Sequence, residues 1–135
     1  DDLIFMFQKE LGEKITGKYL SRNYGRISIL SNYRLKYIQK FIVSPNCFSP
    51  KPKVDSVVIH FQPKKQKKIC INHISNLEKI TNIFFSNKRK MINKSLKKIF
   101  SDNQIKEMSD LNINSRPAEI SPEVFYKITK MYEKL

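Results

Sequence analysis

Leu3-Ile4-Phe5-Met6-Phe7 is an uninterrupted apolar run near the start of the chain, and it restricts the available folds more than any other segment. Its length and composition suit a strand with both faces buried in a parallel sheet. A parallel strand needs neighbours reached by crossover connections, and only two residues precede Leu3. The run therefore predicts that these residues are one part of a larger α/β protein.

Beyond this strand, residues 8–15 read as a short helix, and Gly12, Gly17 and Gly25 punctuate a polar stretch ending near Arg26. Helical spacing returns over residues 27–37, with Ile27, Leu30 and Arg34, or Ile27, Ser31 and Leu35, as alternative faces. Residues 38–43 and 54–61 read as strands, the second rich in Val and Ile. The loop between them, residues 44–53, is stiffened by Pro45, Pro50 and Pro52. A connection of about ten residues is too short for a helical crossover, so the two strands are expected to pair antiparallel.

Pro63, followed by Lys64, Lys65, Gln66, Lys67 and Lys68, marks a change of composition and divides the chain into residues 1–63 and 64–135. The second part is helical in pattern. Ser75 with Glu78 fits a capping box ahead of Leu77, Ile80 and Phe84. A second helix is expected over residues 88–100, with Ile92, Leu96 and Ile99 on one side. Ser101 with Gln104 suggests another start. Ser121-Pro122-Glu123 places a cap residue and a first-turn proline before Val124, Ile128, Met131 and Leu135.

Charge narrows the class of partner. Lys and Arg total 26 against 12 Asp and Glu, a formal net charge of +14. Residues 1–63 carry 10 basic and 5 acidic side chains, and residues 64–135 carry 16 and 7, so the helical part is the more basic. Such an excess points to a polyanion. No apolar run approaches the roughly 20 residues of a spanning helix, and no signal peptide opens the chain, which favours nucleic acid over a membrane and a cytoplasmic setting. Cys47 and Cys70 have no metal-ligand spacing with each other or with His60 and His73, so neither a disulfide framework nor a metal is expected.

Two segments have the composition of RNA contacts. In Cys47-Phe48-Ser49-Pro50-Lys51-Pro52-Lys53-Val54-Asp55-Ser56, alternate prolines extend the backbone and display Phe48 near Lys51 and Lys53. An aromatic beside two cations suits a flipped-out base, which needs a stacking face and charge for its phosphates; a buried Phe48 with solvated lysines is the plainer alternative. The second segment holds Lys88, Arg89, Lys90, Lys94, Lys97 and Lys98 within eleven residues that contain no acid. On a continuous helix Lys90, Lys94 and Lys97 share one face, and like charges packed so closely repel one another without an anionic partner. His60 is a weak candidate for a general base and reads instead as a surface or sheet-facing histidine. Glu10, in Gln8-Lys9-Glu10, follows a strand's carboxyl end, where parallel sheets bind ligands, yet suits a local ion pair equally well.

The motif Phe48-x-Pro50-x-Pro52-x-Val54-x-Ser56 is similar to the one before the last strand of the ribosomal RNA adenine N6-dimethyltransferases, a family that includes resistance enzymes acting on large-subunit RNA. Gln8-Lys9-Glu10 after an apolar strand, Tyr24-Gly25-Arg26-Ile27-Ser28, Lys88-Arg89-Lys90 with Asn93 and Ser95-Leu96, and Arg116-x-Ala118-Glu119-x-Ser121 resemble the same family in order and interval. Two departures stand out. The usual paired arginines read Lys88-Arg89, and Pro117 separates Arg116 from Ala118. Neither removes charge.

The resemblance implies an α/β fold: the carboxy-terminal part of a Rossmann-like class I methyltransferase sheet over residues 1–63, followed by a small basic all-helical domain over 64–135. It implies an S-adenosylmethionine-dependent enzyme that dimethylates two adjacent adenosines near the 3′ end of 16S rRNA, with the small ribosomal subunit as partner, no membrane or metal, and a monomeric full-length protein. Phe48 would stack on the target adenine, and Lys51, Lys53, Lys88, Arg89, Lys90, Lys94 and Lys97 would bind RNA. The family's glycine-rich donor loop and its Asn-Leu-Pro-Tyr type motif have no counterpart here, since Gly-x-Gly and Asn-x-Pro-Tyr are both absent. These residues alone are therefore expected to lack a donor site and activity. A non-catalytic RNA-binding assembly factor and a large-subunit methyltransferase of the resistance type are the alternatives.

Overall fold

The computed structural model describes residues 1–65 and 67–135; Gln66, which belongs to the basic stretch at the expected boundary, lies outside the described residues. The chain forms two compact units, Asp1–Gln66 and Lys67–Leu135.

The first unit is a three-stranded sheet with two helices. Strand β1 (Leu3–Gln8) leads directly into α1 (Lys9–Ile15); α2 (Arg26–Arg34) leads directly into β2 (Leu35–Val43); a 3₁₀ turn at Pro45–Cys47 precedes β3 (Ser56–Pro63). Strand order is β1-β3-β2, and both neighbours run antiparallel to β3. β3 is central, paired along both edges, and one of its faces is buried by alternation: Val57, Ile59 and Phe61 are buried, and Leu3, Phe7, Ile15 and Leu35 pack against them. Helix α1 lies close over this strand. A Cβ added to Gly12 would sit 2.3 Å from Val57 Cγ1, so a hydrogen in place of a side chain is what permits the approach.

The antiparallel pairing of β2 with β3 agrees with their short connection, and among the described residues β1 shows neither the parallel neighbour nor the two-sided burial expected of it. It pairs antiparallel with β3, and Ile4, Phe5 and Met6 remain 65%, 47% and 55% exposed. A run of five apolar residues has no period from which pairing direction or two-sided burial can be told. The partner strand is supplied by distant sequence.

The helix expected over residues 27–37 stops at Arg34, and Leu35 and Tyr37 belong to β2. Neither proposed face is the buried one. Ser28, Ile29 and Tyr33 face inward, while Ile27 is exposed. Ser28 is buried because its hydroxyl is used fully: Oγ donates to the Lys14 carbonyl at 2.6 Å and accepts the Gly25 N–H at 3.2 Å. That one hydroxyl ties the end of α1 to the start of α2.

The second unit contains α3 (Ile74–Phe85), α4 (Asn93–Lys97), α5 (Asp102–Lys106), a 3₁₀ turn at Pro117–Glu119, and α6 (Pro122–Glu133). Leu77, Ile80 and Phe84 of α3 meet Phe125 and Ile128 of α6 in its core, with the Phe84 and Phe125 rings edge to face at 5.6 Å. Ile92, Leu96, Phe100 and Ile120 are buried as well. The buried stripe of α6 runs through Phe125, Tyr126, Ile128 and Thr129, not through Leu135, which is 63% exposed.

Capping follows local pattern in one place and not in others. Ser101 and Gln104 form the expected reciprocal box. Ser75 and Glu78 do not cap α3, whose cap position is His73, and Ser121 makes no side-chain capping bond although Pro122 sits in the first turn of α6. The helix expected over residues 88–100 shrinks to Asn93–Lys97. The Ile92 N–H bonds the Ser115 carbonyl at 2.8 Å, a tertiary bond that diverts it from the i−4 ladder of a continuous helix.

Candidate nucleic-acid interface

Each unit presents a candidate site, and each is built locally. In the first, Phe48 directly follows the 3₁₀ turn. The Ser44 hydroxyl accepts the Asn46 N–H at 3.3 Å, the Ser44 carbonyl accepts the Cys47 N–H, and the Pro45 carbonyl accepts the Phe48 N–H. The Ser49–Pro50 peptide bond is cis. Phe48 is half-buried, so neither full burial nor free display describes it, while Lys51 and Lys53 are exposed.

Lys53 shares an open cavity of about 450 Å³ with Lys9, Glu10, Glu13 and Asp55, and Pro45 and Val54 complete its wall. The cavity lies where β1 passes into α1, held by the Lys9 N–H donating to the Asp55 carbonyl at 3.0 Å. Glu10 pairs with Lys14 at 3.4 Å and Lys9 with Glu13 at 4.0 Å. Glu10 thus takes the local ion pair that its spacing allowed. His60 sits on the sheet, its Nε2 2.7 Å from Asp2 Oδ1, and the same oxygen accepts from Gln62 Nε2 at 3.0 Å. Hydrogen bonds from Gln62 and then His60 hold the Asp2 carboxyl below its usual range.

In the second unit the basic segment is bent. Lys88, Arg89 and Lys90 lie in the turn after α3, and Lys94 and Lys97 lie on α4, all exposed. The single helical face expected for Lys90, Lys94 and Lys97 is therefore absent. The turn instead directs part of the cluster toward a different segment. Arg89, Lys90, Met91, Asn93 and Lys94 from one segment, and Asn114, Arg116 and Glu119 from another, line an open cavity of about 440 Å³. Lys88 and Lys97 do not line it.

The Ile92–Ser115 backbone bond holds the two segments together, and buried Ile92, Leu96 and Pro117 lie among them. The Asn112 side chain accepts the Asn114 N–H at 3.0 Å, and Glu119 Oε1 accepts the Arg116 N–H at 2.9 Å, fixing the turn that carries Arg116. Sequence reasoning did not assign Arg116, Asn114, Met91 or Glu119 to a site. Arg116 and Glu119 belong to the Arg-x-Ala-Glu-x-Ser motif, which could have raised them; Asn114 carried no local signal.

Four cations stand against one carboxylate in this lining, which makes the cavity electropositive. Among the described residues no His, Cys, Asp and Glu group could hold a metal ion, both cysteines are free and exposed, and no helix is long and apolar enough to cross a membrane.

Comparison with known proteins agrees with the pattern of residues. The family model for ribosomal RNA adenine dimethylase matches residues 1–134. The small-subunit rRNA methyltransferase A of Pelagibacter ubique is 40% identical over 100% of this chain and 52% of its own length; that of Zymomonas mobilis is 38% identical over 98% and 47%. A dimethyladenosine transferase from Plasmodium falciparum shares the fold with a TM-score of 0.77 and 21% identity, covering 98% of this chain and 57% of that one. The 23S rRNA methyltransferase ErmE does so with a TM-score of 0.65 and 17% identity over 98% and 55%. The chain spans about half the length of the curated relatives it matches. With a family model covering residues 1–134 and a relative 40% identical across the whole chain, this chain belongs to the ribosomal RNA adenine dimethylase family.

Proposed function

We propose that these residues are an RNA-facing part of a cytoplasmic enzyme of small-subunit maturation that dimethylates N6 of two adjacent adenosines near the 3′ end of 16S rRNA. The observation that carries this reading is the family match over residues 1–134, with Phe48 braced on its 3₁₀ turn between two strands and flanked by exposed Lys51 and Lys53. Small-subunit relatives at 40% and 38% identity favour 16S over large-subunit RNA.

The methyl group in this reading comes from S-adenosylmethionine. Neither of the two cavities described above is lined by the glycine-rich turn that the resemblance implies for this donor: the one beside α1 is lined by Lys9, Glu10, Glu13, Lys53 and Asp55 with Pro45 and Val54, and the one beside α4 is mainly cationic. The chain's own contribution is to hold RNA.

Phe48 offers a stacking face to an adenine drawn out of its helix. That positioning matters because N6 is a weak nucleophile while its lone pair is delocalised into the ring, and transfer requires close in-line alignment. Lys51 and Lys53 neutralise phosphates beside it; Lys88, Arg89, Lys90, Lys94 and Lys97 do the same along the second unit.

Small subunits lacking the modification, incubated with the intact protein and methyl-labelled S-adenosylmethionine, provide the test. Label on two adjacent adenosines near the 3′ end of 16S rRNA is the expected result. Label on 23S rRNA would identify a resistance-type enzyme, and tight RNA binding without label would identify an assembly factor.

A further inference from the structure

The cavity of the second unit has features that a phosphate-binding surface does not require. Its volume of about 440 Å³ falls within the roughly 300–1,000 Å³ of sites that enclose small organic ligands, well beyond a single phosphate. Its chemistry is divided. Arg89, Lys90 and Lys94 have no ion-pair partner among the described residues, and with Arg116 they supply the cations. Met91, 48% exposed, supplies an apolar, polarisable surface.

Asn93 and Asn114 add side-chain amides from two separate segments. One lone pair of the Asn93 oxygen is used by the Lys94 N–H at 2.8 Å, and no group among the described residues pairs with the Asn114 amide. An amide carries both a donor and an acceptor. A phosphate has no hydrogen to give it, but the edge of a nucleobase presents both complements.

We infer that this cavity is a pocket for one unstacked RNA nucleotide, in which Arg89, Lys90, Lys94 and Arg116 hold the phosphate while Asn93, Asn114 and Met91 contact the base. The inference rests on the proposed RNA-binding role and adds to it a preference for RNA that offers an extruded base. Unpaired nucleotides of loops and bulges are what proteins read in RNA, since the deep, narrow major groove of the A-form helix admits no side chains. Arg116 comes from a different segment than Arg89, Lys90 and Lys94, so the phosphate is held from two segments that the Ile92–Ser115 backbone bond keeps in register.

The test compares two RNA hairpins of equal charge, one fully paired and one with a single-nucleotide bulge carrying 2-aminopurine, binding to the intact protein over a salt series. The wild-type protein is expected to bind the bulged RNA about tenfold more tightly, with a change in 2-aminopurine fluorescence. Asn114→Ala should reduce that preference about fivefold, the equivalent of one hydrogen bond, and leave the salt slope unchanged. Arg116→Lys, which keeps the charge but loses the planar fork, should weaken bulged RNA more than paired RNA.

Equal, salt-dependent binding of the two hairpins by wild type overturns the pocket and leaves the RNA-binding role intact. Competition by polyglutamate as effective as that by RNA overturns it in favour of an acidic protein partner. Absence of binding to either hairpin overturns both the pocket and the RNA-binding role.

Discussion

Glu133, in the last turn of α6, caps the start of α3 at His73: its Oε2 accepts the His73 N–H at 3.0 Å, while Oε1 accepts the Asn72 N–H at 2.9 Å. Asn76 Nδ2 donates to Oε2 as well, at 2.7 Å. The helix thus receives from another helix the carboxylate that its own N-terminal residues do not provide. Burial works to raise the Glu133 carboxyl, but the bonds from Asn72, Asn76 and His73, with Lys130 at 3.8 Å, outweigh it and hold the group below its usual range.

A lowered carboxyl gives stability that is complete above the unfolded-state value, near 4.5, and that is lost as pH falls through the lower folded value. Glu133→Gln should destabilise the second unit by about 1–3 kcal/mol at neutral pH and remove part of its acid sensitivity below about pH 5. Hydrogen exchange at the Asn72 and His73 amides in the intact protein, followed from pH 7 to pH 4, reports this locally. Identical exchange in wild type and variant would remove Glu133 from its capping role.

Gly12→Ala brings a Cβ to 2.3 Å from Val57 Cγ1, and something in the first unit must move. Overpacking of this kind costs about 1–3 kcal/mol, partly offset by the roughly 1 kcal/mol that alanine gains over glycine inside a helix. Urea melts should show a net loss of stability, and Val57→Ala in the same protein should recover part of it. Additive effects of the two substitutions would mean that they do not meet.

Phe48→Ala separates stacking from affinity. Loss of one base-stacking surface costs on the order of 1–3 kcal/mol. If that loss is felt mainly when adenine is extruded, single-turnover methylation falls much further than RNA affinity. Methylation at the wild-type rate would return Phe48 to a packing role, and a thermal melt of the variant controls for its half-buried position.

Neutral replacement of Lys90, Lys94 and Lys97 should weaken binding across unrelated RNA sequences and flatten its salt dependence. Each lost phosphate contact lowers the logarithmic slope by roughly 0.7–0.9. Lys90 and Lys94 line the cavity and Lys97 does not, so single variants should divide accordingly. Lys97→Gln is expected to lower the slope without changing discrimination between bulged and paired RNA, as judged by filter binding.

Features written over a few consecutive residues were determined by the sequence itself: the alternation of Val57, Ile59 and Phe61, the Ser101–Gln104 box, the short connection that forces β2 and β3 antiparallel, and the cationic run from Lys88. Periodicity, capping chemistry and loop length act between near neighbours, so the residue order contains them. Tertiary structure alone decided which strand β1 pairs with, where α2 gives way to β2, and that a bond from Ile92 to Ser115 interrupts the basic helix. It also chose Glu133 as the cap of α3 and brought Asn114 and Arg116 into one cavity with Lys94. These depend on contacts between residues tens of positions apart, whose free energies are settled by packing and by competition among many partners, and no local pattern in a single sequence encodes that outcome.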